Sequence, residues 1–180
     1  MTKFFLKMLP ILLVFVLIAL CFGNNESETS SGESIKNAVE FLLENAENVL
    51  LLQQLNARDI EMKKDEYKAE EKNFYDMSTE GAVKYEYSEG DKLIFADVQI
   101  YGEMFNARFK IFPADNNTYV EKITTDYTTT ITQEDWAIDK AEEKCYLIED
   151  GQVIDLISKE IVENSEGDEF ISLIDELLAK

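Results

Sequence analysis

Histidine is absent from the chain. With it go the Ser-His-Asp and Cys-His arrangements, the usual imidazole base and most zinc sites. Neither GxxxxGK[ST] nor GxGxxG occurs, so Gly-rich phosphate cradles of those kinds are missing as well. Basic residues are scarce: 17 Lys and Arg stand against 37 Asp and Glu, a formal net charge of −20. Such a surface repels phosphate backbones, which argues against nucleic acid as a partner. It leaves open a basic protein or a divalent cation, and its ordinary role is solubility. For the cation, "DEYKAEEKN" and "PADNNT" gather oxygen ligands, but neither forms the D-x-[DN]-x-[DN]-G loop with its distal Glu. No metal and no cofactor is therefore expected. Two carboxylates could in principle act as acid and base. With 37 acids, however, some pair falls at a working distance by chance, so the pairing carries no weight. The expectation is a protein that is not an enzyme.

Cysteine is nearly absent too. Only Cys145 lies in the body of the chain, so no disulfide can form there unless Cys21 persists as a free thiol. That excludes the stapled class of small secreted domains. Cys145 sits in "KCYLIED", a strand-like word where an inert buried thiol is the usual finding. Two glycosylation sequons, Asn25-Glu-Ser and Asn116-Asn-Thr, are read as coincidence in an Asn-rich chain.

Long hydrophobic runs are missing with one exception. Met8 to Phe22 is apolar apart from the interruption at Pro10, and it follows Lys3 and Lys7. A basic start, an apolar stretch too short for a membrane span and a small-residue exit are the parts of a secretory signal. Residues 1–20 are expected to be that signal, or 1–23 if cleavage follows Gly23. The words Ile18-Ala19-Leu20-Cys21 resemble the lipobox of bacterial lipoproteins, with Leu20 where that family usually has Gly or Ala. The resemblance implies that Cys21 becomes the first mature residue and carries a lipid anchor. Residues 21–33 are rich in Ser, Asn, Glu and Gly and cannot bury enough apolar surface to order themselves, so they read as a flexible tether. The expected location is the cell surface or the periplasmic side of the membrane, held by the lipid. Free secretion is the alternative.

Residues 34–180 have the size of a single domain. Ile35 to Leu55 carries Ile35, Val39, Leu42, Ala46 and Val49 at helical spacing, with Ser34 placed to cap it; Leu43, Leu50 and Leu51 widen the stripe. The charged text from Asn56 to Asn73 fits a helical extension or a polar strand equally. From Gly81 the period becomes two. Val83, Tyr85 and Tyr87 alternate with polar residues, "SEGD" turns the chain, "KLIFADVQIY" and "MFNARFKIF" follow as strands, and "TYVEKITTDYTTTIT" reads as one long or two short strands. "QEDWAIDKAEEK" reads as a connection, and "CYLIEDGQVIDLI" as a hairpin turning at Asp150-Gly151. Ser165 and Asp168 form a weak capping box ahead of Phe170, Leu173, Ile174, Leu177 and Leu178 on a last helix. The fold class is α+β: an N-terminal amphipathic helix, an antiparallel meander of about five to seven strands, and a C-terminal helix covering the sheet.

The words "YSEGDKLIFADVQI", "FKIFPADNNTYV" and "KCYLIEDGQVIDL" give this organisation a resemblance to the exported half-barrel proteins typified by the periplasmic lipoprotein carrier. That resemblance implies a curved sheet whose concave face holds acyl chains. A cystatin-like sheet around one helix fits the same order. The candidate apolar ligand face comprises Tyr85, Tyr87, Phe95, Phe105, Phe109 and Tyr119, which otherwise simply pack beneath the helices. The function expected is an exported, membrane-anchored, non-enzymatic protein that binds an apolar small molecule or a basic protein partner. The alternative is a secreted acidic interaction or inhibitor domain without a ligand cavity.

Overall fold

The computed structural model describes residues 31–78 and 80–179. The expected signal, Cys21 and most of the tether lie outside the described residues. The chain divides into a unit Met1–Lys36 and a unit Asn37–Lys180, and the second holds the sheet.

Helix α1 (Ser31–Glu44) and helix α2 (Ala46–Met62) occupy the region read as one helix. Asn45 separates them. Its backbone sits at φ −109 and ψ 15, and its side-chain amide donates to the Phe41 carbonyl at 2.9 Å, the acceptor its own N–H also uses. An Asn that bonds its own helix backbone competes with the regular ladder, which is why the helix breaks here. The apolar stripe is correspondingly less buried than its width suggests: Ala46 and Ala57 are buried, whereas Leu51 and Leu55 face solvent.

The ambiguous stretch divides in two. It finishes α2, makes a single 3-10 turn (Lys64–Glu66), and becomes strand β1 (Lys68–Phe74). Next come β2 (Ala82–Glu89), β3 (Lys92–Tyr101), β4 (Phe105–Pro113), β5 (Asn117–Tyr127), β6 (Ile138–Glu149), β7 (Gln152–Asp155) and the two-residue β8 (Glu160–Ile161). Helix α3 (Asn164–Ala179) closes the described chain. It begins at Asn164, so Ser165 lies inside its first turn rather than ahead of it.

The eight strands form one open antiparallel sheet in strict sequence order. This is one strand more than the upper expected count; β1 and β8, the two edges, are the strands that alternation does not announce. The stretch read as a connection before Cys145 is largely strand, since Ile138 to Lys144 pairs with β5. The β6–β7 hairpin turns on Asp150 (φ 50) and Gly151 (φ 75). Two consecutive positive φ values are the primed turn that matches strand twist, and they explain the Asp-Gly pair.

Register assigns the two faces. On one face Ala82, Ala96, Val98, Ile100, Ala107, Phe109, Ile111, Val120, Tyr146 and Val153 pack with Ile174 and Leu177 of α3. Beneath that helix lies an ion. Lys84 is fully buried; its Nζ sits 2.6 Å from the Glu86 carboxylate and donates to the Leu178 carbonyl at 3.2 Å. The ammonium thus meets a carboxylate and the negative end of a helix, the two groups able to compensate its loss of water. Lys72 of β1 reaches the same carboxylate at 2.8 Å. Burial draws the Glu86 carboxyl upward, but the hydrogen bonds from Lys72 and Lys84 outweigh it and hold it below the ordinary Glu value.

Removing one partner of a buried pair typically costs about 3–5 kcal/mol. Lys84→Ala should therefore lower the unfolding free energy by about that amount in urea titrations, and Lys84→Met by distinctly less, because it leaves no cavity. Equal losses for both variants would show that the ammonium, not the methylene stem, is what α3 rests on.

Candidate functional site

The opposite face carries Tyr85 and Tyr87 of β2, Phe95 of β3, Phe112 of β4 and Tyr119 of β5. Four of these rings stack in a row across four strands. Centroids are 4.4 Å apart for Tyr87–Phe95, 5.2 Å for Phe95–Phe112 and 6.0 Å for Phe112–Tyr119. Phe95, Phe112 and Tyr119 are buried. Of the six residues proposed from sequence as one ligand face, register brings together Tyr85, Tyr87, Phe95 and Tyr119. Phe109 is on the α3 side, in the core, and Phe105 shares its parity and is 41% exposed at the strand end. Phe112, missed by the sequence reading, completes the row; its position between Phe95 and Tyr119 shows only once β3, β4 and β5 are aligned.

Helix α2 lies over this face, joined to it by polar groups. Glu61 pairs with Lys110 of β4, whose Nζ also lies 3.7 Å from Glu121 of β5. The Tyr119 hydroxyl donates to Glu121 at 3.3 Å. Cys145 of β6 lies opposite Glu121 on this face and is itself fully buried. Burial pushes the Cys145 thiol and the Tyr119 hydroxyl up, so neither is ionised near neutral pH. A buried thiol of raised pKa is a poor nucleophile. Burial also raises Glu121; Lys110 draws it back down and Glu61 adds to the rise, leaving it above the ordinary Glu value. Among the described residues no group of three His, Cys, Asp or Glu could hold a metal ion.

The two ends of the sheet differ. At one end lie the tight turns at residues 90–91, 114–116 and 150–151, polar and acidic, with Lys92 paired to Asp115 at 2.8 Å. At the other lie the longer segments 75–81, 102–104 and 128–137. These are tied together. Tyr101 N–H donates to the Gly81 carbonyl, Tyr127 N–H to that of Met104, and Ile131 N–H to that of Glu103. The Tyr75 ring lies so close to Gly81 (φ 85) that a Cβ there would sit 2.8 Å from it. Trp136 stands edge-on to Tyr127 at 5.6 Å. Tyr75, Met104, Phe105, Ile131, Trp136 and Ile138 are all exposed here. The same segments carry the exposed acids Glu80, Glu103, Glu134 and Asp135, so large apolar side chains and carboxylates share this end of the sheet. The sequence signal was the one Trp set among acids in "QEDWAID", a costly residue for a loop that only connects.

Comparison with protein-family models, with curated proteins and with solved structures finds no match for this chain. The architecture is an open antiparallel eight-stranded sheet with flanking helices.

A group whose folded pKa is raised binds its extra proton in the native state. It is stabilising at low pH, and that contribution is lost as pH rises through the folded value. Glu121→Gln should therefore raise the thermal midpoint at pH 7, and the gain should vanish as pH falls below the ordinary Glu value of 4.5. A gain that persists at low pH would put the cause in packing rather than charge.

Proposed function

We propose that the chain is an exported, lipid-anchored, non-enzymatic module that binds a partner protein through the loop end of its sheet. The observation that carries this reading is the cluster of Met104, Phe105, Ile131, Trp136 and Ile138, exposed on segments fixed to one another by backbone hydrogen bonds. Aromatic and Met side chains at the centre of a patch, with charged residues at its rim, are the groups that dominate protein association. The lipid on Cys21 and the tether of residues 21–33 would hold the domain near a membrane while leaving that end free. Lipidation also accounts for the polar, small-residue composition that follows the apolar run.

The second reading is the apolar ligand suggested by the resemblance to half-barrel lipoprotein carriers. The stacked row Tyr87, Phe95, Phe112 and Tyr119 favours it, because four aligned rings on one sheet face would line a slot for a chain. It requires α2 to move off the row, against the Lys110–Glu61 pair. Lipid extracted from the purified native protein separates the readings: a stoichiometric acyl species supports the carrier, and its absence leaves the row as core.

Two measurements in the native host test the leading reading. The intact mass of the mature chain should start at Cys21 with added acyl mass, and Cys21→Ser should abolish that mass; a chain starting at Asn24 makes the protein freely secreted. A photo-reactive side chain placed at Trp136 should give a discrete protein adduct, whereas one at Asp115, at the opposite end of the sheet, should not. Equal adducts from both positions would remove the loop end as the binding surface.

A further inference from the structure

Strand β6 is long and its neighbour β7 is short. Of the twelve residues Ile138–Glu149, only Tyr146 to Glu149 pair with β7, while β5 pairs along nearly the whole strand. Leu156 N–H continues the β7 side by donating to the Cys145 carbonyl at 2.8 Å. Because the N–H and C=O of a strand residue point to the same side and alternate along the chain, that bond fixes the sense of the rest. The backbone groups of Glu143 and Ala141 point away from β5. Among the described residues no strand receives them, and residues 138–141 are exposed.

This open stretch has a defined shape. At one end the chain leaves β7 with Ile157, 49% exposed; at the other stand Trp136 and Ile138. Its charge is one-sided. Lys140 and Lys144 both turn to Glu142, at 3.0 and 3.8 Å. Glu134, Asp135, Asp139 and Glu143 are in no ion pair among the described residues. The other edge of the sheet, β1, offers a free backbone row too, but Lys68, Glu70, Glu71 and Lys72 crowd it and no large exposed apolar residue belongs to the strand. Alternating charge of that kind keeps an edge unpaired.

We propose that the free half of β6 is a strand-addition site for an extended segment of a partner protein that carries basic residues and apolar anchors. The added strand would lie end to end with β7, bonding Ala141 and Glu143 through its backbone. Its Lys or Arg side chains would meet Asp139 and Glu143, and an apolar residue would rest on Ile138 and Trp136. A second copy of this chain is a poor occupant, since two surfaces of charge −20 would have to meet along their acidic edges. The site rests on the reading of the chain as a protein-binding module and adds how the partner is gripped.

The probe is a capped peptide of about seven residues alternating Lys with Val, and its Glu-for-Lys counterpart, at low salt. Saturating basic peptide should slow amide exchange at Ala141 and Glu143 by about tenfold or more, with β1 unaffected and the acidic peptide inert. Ala141→Pro, which removes an N–H that β5 does not use, should abolish that protection at Glu143 while the circular dichroism spectrum is unchanged; Ala141→Val should retain it. Reversing charge with Asp139→Lys and Glu143→Lys should exchange the preference of the two peptides. No protection in the intact protein overturns the site, as does protection that moves to β1 or survives Ala141→Pro. Protection that appears without peptide as protein concentration rises overturns it in favour of a second copy. If these fail while the adduct from Trp136 persists, the binding-module reading stands and only the strand addition falls; loss of both removes the loop end itself.

Discussion

Each strand of this sheet bonds only to its neighbours in sequence, so a single register is handed on from β1 to β8 and decides the face of every side chain. A slip of one residue anywhere would carry all later strands to the wrong side. Among the described residues that hand-on is adjusted in two places, the irregularities at Tyr87/Ser88 and at Asp126/Tyr127. The first sits at the distal end of β2, beyond the stacked Tyr87. The second sits where β5 runs into the loop that carries Trp136. In both cases the core pairs inward of the irregularity keep their parity, and only the strand ends are re-aimed.

Two covers of different character complete the domain. Helix α3 brings a continuous apolar stripe, and the Leu178 carbonyl that accepts from the buried Lys84 ammonium makes its seating specific. Helix α2 brings small residues and polar reach: Ala46 and Ala57 allow closeness, while Glu61 pairs with Lys110 on the sheet. The α3 side is therefore the more strongly fixed of the two, and the aromatic row under α2 is the part of the interior with the more polar boundary.

Much of this was legible in the sequence, and the limits have physical causes. Alternation identified β2 to β5 and the Asp150-Gly151 hairpin because those strands bury one face against apolar partners. Strand β1, "KAEEKNF", was hidden because an edge strand that is mostly exposed has no apolar period to show. The break at Asn45 was hidden because it depends on which carbonyl an amide side chain chooses. Within each strand the parity of the aromatics was readable, as with Phe105 and Phe109. Between strands it was not, since the link from Tyr101 to Phe105 sets whether Phe95 and Phe109 share a face, and the register shows that they do not. The exposed loop end lay beyond pattern reasoning altogether: Glu103 and Ile131 are far apart in sequence and are joined by a backbone bond that no periodicity encodes.

The position of Lys84 has a consequence for the order of assembly. During synthesis the meander can close hairpin by hairpin, because each strand finds its partner immediately behind it and the loops between them are short. The carbonyl that accepts from Lys84 belongs to Leu178, far downstream, in the last turn of α3. Until that helix has been made, the middle of β2 keeps a solvated charge on what will be the driest surface of the domain. A sheet in that condition is poorly disposed to stick to another sheet. The last helix to be made is thus also the element that completes the apolar face beneath it.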